Sequence, residues 1–440
     1  MGFQLYLLIG VGVVVRIWLF ASSVAEYFAE RNELVTPLTS WKRVTEGLAL
    51  HRIGVSPYIG DVYHEMPLSL LLWNYFDRTW GDMIQYLFVV IDVATALVLY
   101  RVATNVASYQ LQRQVEDVKK YDVSSTKLIL KTEALAWNRV YVVGAFMLNP
   151  LSIASCVAKS TAVLNNLVVA LAMLFILKGN RVGSSIFIAA AAYLSMYPIM
   201  LVVPAAIFIA QKESKSTTEK FPKIQLAVIS AIQTTVCTVS ALGLLLFTSH
   251  SLQGSWNFLT STYGFILTVP DLTPNIGIFW YFFTEMFEHF RLFFICVFQI
   301  HAFIYVVPLT FRLHRHPIFL MYMLIALTAV FKSYPSYADV AFYISLLPMW
   351  RHVMSYMRNN FVVSVMFAVC VVLAPVLWHL WVQAGSANAN FYFAITLVIC
   401  SAQIFLITDL LFAFLRHDFD LIHGIKRPIV DGKPAQIILE

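Results

Sequence analysis

Apolar residues run along this chain in long blocks, without the short alternations of a soluble fold, and polar residues collect between the blocks. By hydropathy the blocks lie at residues 3 to 22, 83 to 107, 138 to 157, 161 to 178, 182 to 197, 198 to 210, 224 to 248, 290 to 311, 317 to 331, 338 to 350, 361 to 383 and 391 to 415. A helix needs about 20 residues to cross a bilayer. The block from Phe3 meets that length, lacks a basic leader and is interrupted by Arg16, so it reads as a retained first helix and not as a cleaved signal. The pair divided at Tyr197-Pro198 and the block ending at Trp350 are too short to cross alone. Such pieces persist only when packed inside other helices. The pattern predicts an all-α polytopic membrane protein, a single domain over residues 1–440 with about twelve transmembrane segments.

Composition agrees: 60% of the 440 residues are hydrophobic and 12% charged, against roughly 25% charged in a soluble chain. The five cysteines all fall in apolar blocks, implying neither a disulfide framework nor a metal cluster. The net charge of +6 is small for this length, and the basic residues edge the apolar blocks without forming a stripe. Nucleic acid is excluded as a partner on that ground. Met1-Gly2 fails as an acylation signal because Tyr6 stands where Ser or Thr is required.

Charge also sets the expected orientation. With both termini placed in the cytosol, 21 Lys and Arg fall on the cytosolic side and seven on the other, a clear positive-inside bias. The non-cytosolic side then carries residues 23–82, expected as a loop with amphipathic helices, and residues 249–289, a loop and amphipathic helix. The cytosol receives the charged connector 108–136 and the tail 416–440. No Asn-x-Ser/Thr sequon adds a second constraint.

Four places carry candidate chemistry. The first loop holds Glu26, Glu30, Glu33 and Glu46, then Gly54 to Tyr58 and His64-Glu65-Met66-Pro67; its acids could act as a general base, but with no Asp-x-Asp or Glu-x-Asp pair a solvated helix face is the favoured reading. The run from Asp271 through Asn275 to His289 contains Thr273-Pro274, a sound helix start. Glu285, Glu288 and His289 follow at helical spacing on an otherwise aromatic stretch, suited to sugar hydroxyls, an ammonium or a protein partner. Ser386, Asn388 and Asn390 lie in an uncharged turn between two strongly apolar blocks. Their amides offer donors and acceptors without an ion near lipid, and as a plain turn they would cap the following helix. Lys215, Lys220, Arg312 and Arg315 edge the cytosolic side, where they suit anionic phospholipid headgroups or topology signalling alone. Asp92, His379 and Asp409 are the ionisable groups expected at depth, facing other helices. No nucleophile with a base, no metal motif and no cofactor motif stands out.

Pro37-Leu38-Thr39-Ser40-Trp41-Lys42-Arg43, Gly54-Val55-Ser56-Pro57-Tyr58, Cys156-Val157-Ala158-Lys159-Ser160, the run from Tyr263 to His289, Lys332-Ser333-Tyr334-Pro335 and the run from Pro375 to Asn390 together resemble, in order and nearly end to end, the class U family of phosphatidylinositol glycan anchor biosynthesis. Members of that family are U subunits of the GPI transamidase. The resemblance implies a non-catalytic subunit in the endoplasmic reticulum, with the cysteine-protease chemistry in subunit K and with subunits S, T and a Gaa-type subunit as further partners. It also implies a fold similar to the polytopic C-type glycosyltransferases and recognition of the GPI glycolipid or the attachment signal. On the same footing Asn388 and Asn390, with Ser386, become the expected GPI contacts, and Asp271, Asn275, Glu285, Glu288 and His289 the expected glycan or subunit contacts. Related mannosyltransferases place paired acids after the first helix. Glu26 and Glu30 in Ala25 to Glu30 depart from that motif, which leaves an active lipid-linked glycosyltransferase as the alternative.

Overall fold

The computed structural model describes residues 2–216 and 223–425, together with the short pairings at 429–430 and 433–434. Helices dominate. Among the described residues six helices are long and apolar enough to cross a membrane, and seven if Val123–Met147 and Pro150–Val157, bent by 47° about Asn149, form one span. The bend has a local cause: Pro150 cannot continue the preceding ladder, and the Asn149 side chain caps the new helix by accepting from Leu151 N at 3.0 Å. Three shorter apolar helices, Ala162–Lys178, Arg181–Leu194 and Pro317–Phe331, fall below spanning length.

Two short helices lie at the centre of the bundle. Pro317–Phe331 buries twelve of its fifteen residues, and Tyr337–Leu346 buries eight of ten. A helix apolar on every side has no face for water, so these pieces pack inside the longer ones. The outer ring is formed by Gly2–Phe20, Gln225–Gln253, Glu288–Leu313 and Asn360–Gln383, which leave Val14, Leu244, Leu292 and Phe361 among others exposed. In a bilayer those side chains face lipid or a neighbouring chain.

Arg16, which breaks the first apolar block, is wholly buried. Its Nε donates to Asp92 Oδ2 at 2.8 Å, Nη1 to Met147 O at 2.8 Å and Gly12 O at 3.1 Å, and Nη2 to Ser152 Oγ at 3.1 Å. One guanidinium thus ties the first helix to Ile84–Asp117, Thr132–Met147 and Pro150–Val157. Asp409 is likewise satisfied, accepting from the backbone amides of Arg358 and Asn359. His379 is not at depth: it is exposed, with Nδ1 2.5 Å from Gln383 Oε1.

The segments between blocks are more ordered than hydropathy suggests. Residues 23–82 contain Val24–Ala29, Trp41–Arg52 and Pro67–Trp80, the last continuing through a turn into Ile84–Asp117. The connector is held to the final helix where Ser125 Oγ donates to Asp420 O at 2.5 Å and Asp122 N to Leu421 O at 3.0 Å.

Candidate functional site

The turn after Asn360–Trp378 is built by backbone geometry. Gly385 takes φ of +63°, in the left-handed region that glycine tolerates, and Ser386 N and Ala387 N both donate to Leu380 O. Asn388 is extended, and its Oδ1 accepts from Asn390 N at 3.1 Å, capping the 35-residue helix Ala389–His423. The Asn390 Oδ1 accepts from the Tyr281 hydroxyl. Both asparagines are exposed and carry amide donors at the surface, while the exposed Ser386 hydroxyl donates to Leu380 O at 3.4 Å.

Beneath the turn lies an aromatic bed. The ring of Tyr281, on Phe279–Glu285, stacks on Phe393 with centroids 4.2 Å apart. Its neighbour Trp280 sits between Trp381 at 6.2 Å and Tyr392 at 6.0 Å; it is only 3% exposed, and its indole N–H has no partner. Tyr392 meets Trp378 edge-on at 5.2 Å, and the Arg31 guanidinium lies 5.3 Å above that indole. Arg31 is held by Glu33 through bonds of 2.6 and 3.1 Å, and Glu33 also accepts from Tyr392 Oη at 2.8 Å. The first loop and the last two long helices therefore meet at one place, through charge-assisted bonds withdrawn from water.

Other expected site residues take different positions. Helix formation does not begin at Thr273-Pro274: the Asp271 side chain accepts from Thr273 N at 2.9 Å and from its hydroxyl, and Asn275 Oδ1 accepts from Gly277 N at 2.8 Å. These local side-chain bonds outcompete the helix, which starts instead at Phe279. Asp271 also receives Arg43 Nη2 at 2.8 Å. Burial opposes its ionisation, yet the Thr273 and Arg43 bonds outweigh burial and hold its carboxyl below the usual range. Asn275 is buried. Asp271 remains partly exposed.

Glu285, Glu288 and His289 do not share a helical face. The helix ends at Glu285 because Met286 is extended, and Glu288–Phe290 is a separate turn. All three are exposed; Glu288 lies 3.8 Å from Arg291, and His289 rests against Phe290. Glu26 and Glu30 are also exposed, on and just after Val24–Ala29, and do not converge on a cavity. Arg312 and Arg315 are exposed at the opposite end of the bundle. Lys220 and the side chain of Lys215 lie outside the described residues.

Sequence reasoning missed two acids as centres of structure. Glu33 is one. The other is Glu65, whose carboxylate accepts from Thr161 Oγ1 at 2.6 Å, Trp73 Nε1 at 2.9 Å and the Ser69 hydroxyl. Burial pushes its carboxyl above the usual range, despite the three bonds that favour the charged form. The signal available was Glu65 two residues before Pro67, an acid at the entrance to a helix start.

The fold and the turn together define a polytopic helical membrane protein that displays a neutral amide pair on an aromatic floor. Residues 10–399 match the family GPI transamidase subunit PIG-U, and the chain belongs to that family. It is 43% identical to the human GPI-anchor transamidase component PIGU over the full length of both chains. It is 32% identical to the GPI transamidase component GAB1 of Saccharomyces cerevisiae over 90% of this chain and 91% of the relative. A more distant likeness, 22% over 51% of each chain, joins it to GPI mannosyltransferase 1 of Candida albicans.

Proposed function

We propose that this transamidase subunit binds the GPI glycolipid without carrying out chemistry itself, and that the Ser386 to Asn390 turn receives the lipid's headgroup. The observation that carries the reading is the pairing of exposed amides at Asn388 and Asn390 with the aromatic bed below them. Small-ligand sites combine apolar and aromatic walls with a few convergent polar groups. Neutral amides suit a ligand rich in hydroxyls and phosphate. The unpaired N–H of Trp280 supports the same place, because a buried donor without a partner is costly.

On this reading residues 23–82 and 249–289 face the lumen of the endoplasmic reticulum and both termini face the cytosol. The twelve apolar segments belong to a scaffold similar to C-type glycosyltransferases, a kinship to which the distant mannosyltransferase likeness points. The outward placement of Glu26 and Glu30 does not support the transferase alternative. Subunit K would supply the nucleophile, with subunits S, T and the Gaa-type subunit completing the assembly. Glu285, Glu288 and His289 suit contact with the glycan or with a neighbouring subunit, and Asp271 and Asn275 set the path of the chain leading to them. Arg312 and Arg315, with Lys215 and Lys220, would meet membrane phospholipid headgroups on the cytosolic side.

The reading is tested by mass spectrometry of glycolipids that co-purify with the complex. Wild-type protein is expected to carry GPI, and Tyr281→Phe with Asn390→Ala to lose most of it. Equal GPI in both preparations would place the lipid elsewhere.

A further inference from the structure

At 1.5 Å per residue the final helix is about 50 Å long, so the residues near His417 lie at the opposite end of the bundle from the Asn388 turn. There the structure holds a second polar site, an open-sided cavity of about 80 Å³. Three side chains on its wall present polar atoms with no partner: both ends of the Gln110 amide, Trp350 Nε1 and His352 Nδ1. Trp350 is 3% exposed, so its N–H is withdrawn from solvent, and the residue lines this space. The indole is braced edge-on against Phe319 at 4.9 Å and Phe414 at 5.7 Å, which makes the remaining wall aromatic.

The cavity adjoins a wider one of about 780 Å³ through Tyr109, Arg113, Tyr121, His316 and Asp418. Arg113 stands at the junction, where Nη1 reaches Arg315 O at 2.5 Å and His316 Nδ1 at 2.9 Å. Lys120 and Arg315 edge the wider space together with the acids Glu116, Asp117 and Asp418, and Asp117 lies 2.5 Å from Lys120 Nζ and 3.5 Å from Arg113 Nε; the lining also includes Ala206, Ile207, Ala210, Ala227 and Ala231.

We infer that the smaller cavity binds the hydroxyl-rich headgroup of a membrane phospholipid, with its phosphate beside Arg113 and an acyl chain along the small apolar residues of the wider space. The unpaired groups are uncharged and include both donors and acceptors. Hydroxyls both donate and accept, and so satisfy such a set, whereas a bare phosphate would leave Gln110 Oε1 unpaired. Aromatic faces suit the C–H faces of a ring. Water alone would need about 10–15 Å³ per molecule, so the cavity has room for several water-sized groups and hence for part of a headgroup. A lipid source follows from the small apolar residues next door and from walls built of membrane-crossing helices. This site is separate from the Asn388 turn and does not rest on its assignment.

The test uses the assembled complex in nanodiscs of defined composition, with retained lipid counted by native mass spectrometry. Phosphatidylinositol is expected to be retained in preference to phosphatidylethanolamine, and Gln110→Met and Trp350→Phe are each expected to weaken retention about tenfold with GPI content unchanged. Gln110 makes no internal bond, so its variant keeps the test interpretable if Trp350→Phe fails to assemble. Equal retention of the two lipids, or undiminished retention by Gln110→Met, would overturn the inference. So would binding of free inositol 1-phosphate with the same dependence on Gln110, which would assign the cavity to a soluble ligand.

Discussion

The Tyr392 hydroxyl donates to Glu33 Oε1 at 2.8 Å across 359 positions of sequence. Tyr392 lies two residues beyond Asn390, and Glu33 holds the Arg31 guanidinium that covers Trp378. The first loop thus buttresses the helix end that displays the amide turn, and damage to the buttress reaches the site.

Removing the hydroxyl with Tyr392→Phe leaves the Arg31–Glu33 pair intact, so the expected loss is one hydrogen bond to a charged group, about 1.5–3 kcal/mol. Arg31→Ala is expected to be worse, about 3–5 kcal/mol, because it strands a buried carboxylate. Thermal unfolding of the purified complex ranks the two. An Arg31→Ala protein as stable as Tyr392→Phe would show that the pair is not energetically buried.

Arg16 and Asp92 invite a double-mutant comparison. Arg16→Met and Asp92→Ala each leave the other charge unpaired in the bundle, whereas the two together remove both. The double variant is expected to recover much of the loss suffered by either single. Protein yield and melting temperature in detergent measure it. Strict additivity would mean that the bond at 2.8 Å contributes no coupling.

Glu65 and Asp271 should respond to pH with opposite sign. The Glu65 carboxyl is raised above its ordinary value of 4.5, so its contribution is fully present below that pH and is lost as pH rises through the higher folded value. The Asp271 carboxyl is lowered below 3.8, so its contribution is present above that pH and is lost only as pH falls through the lower folded value. Between neutrality and pH 4.5 the wild-type melting temperature should therefore carry an upward component that disappears in Glu65→Gln. In Asp271→Asn that component should persist, with a lower overall stability from loss of the Arg43 ion pair. An identical pH profile in wild type and Glu65→Gln would contradict the assignment.

Much of the architecture was legible in the hydropathy blocks, because a helix that must satisfy its backbone in lipid leaves a long apolar run. The block ending at Trp350, too short to cross alone, predicts packing inside other helices, and its helix Tyr337–Leu346 buries eight of ten residues. Pairings were less legible. Arg16 and Asp92 were each conspicuous in an apolar block, yet nothing local joins residues 76 positions apart. At the site, the spacing of Glu285, Glu288 and His289 suggested a common face, but spacing presumes a continuous helix, and Met286 ends it. Thr273-Pro274 misled for a related reason: Asp271 and Asn275 bonded their own backbone first. The Asn388 turn was read both as a helix cap and as a ligand contact. Its geometry allows both, since capping uses only one oxygen of Asn388.

That division of labour gives the most direct test of the account. Asn388→Ser keeps an oxygen to cap the helix but removes the exposed amide, and Asn390→Ala removes the second. Surface GPI-anchored proteins, measured by flow cytometry in cells expressing only the double variant, are expected to fall at least tenfold while the complex assembles at wild-type levels. Normal surface display, or loss of display accompanied by loss of assembly, would contradict the claim that these amides bind the glycolipid.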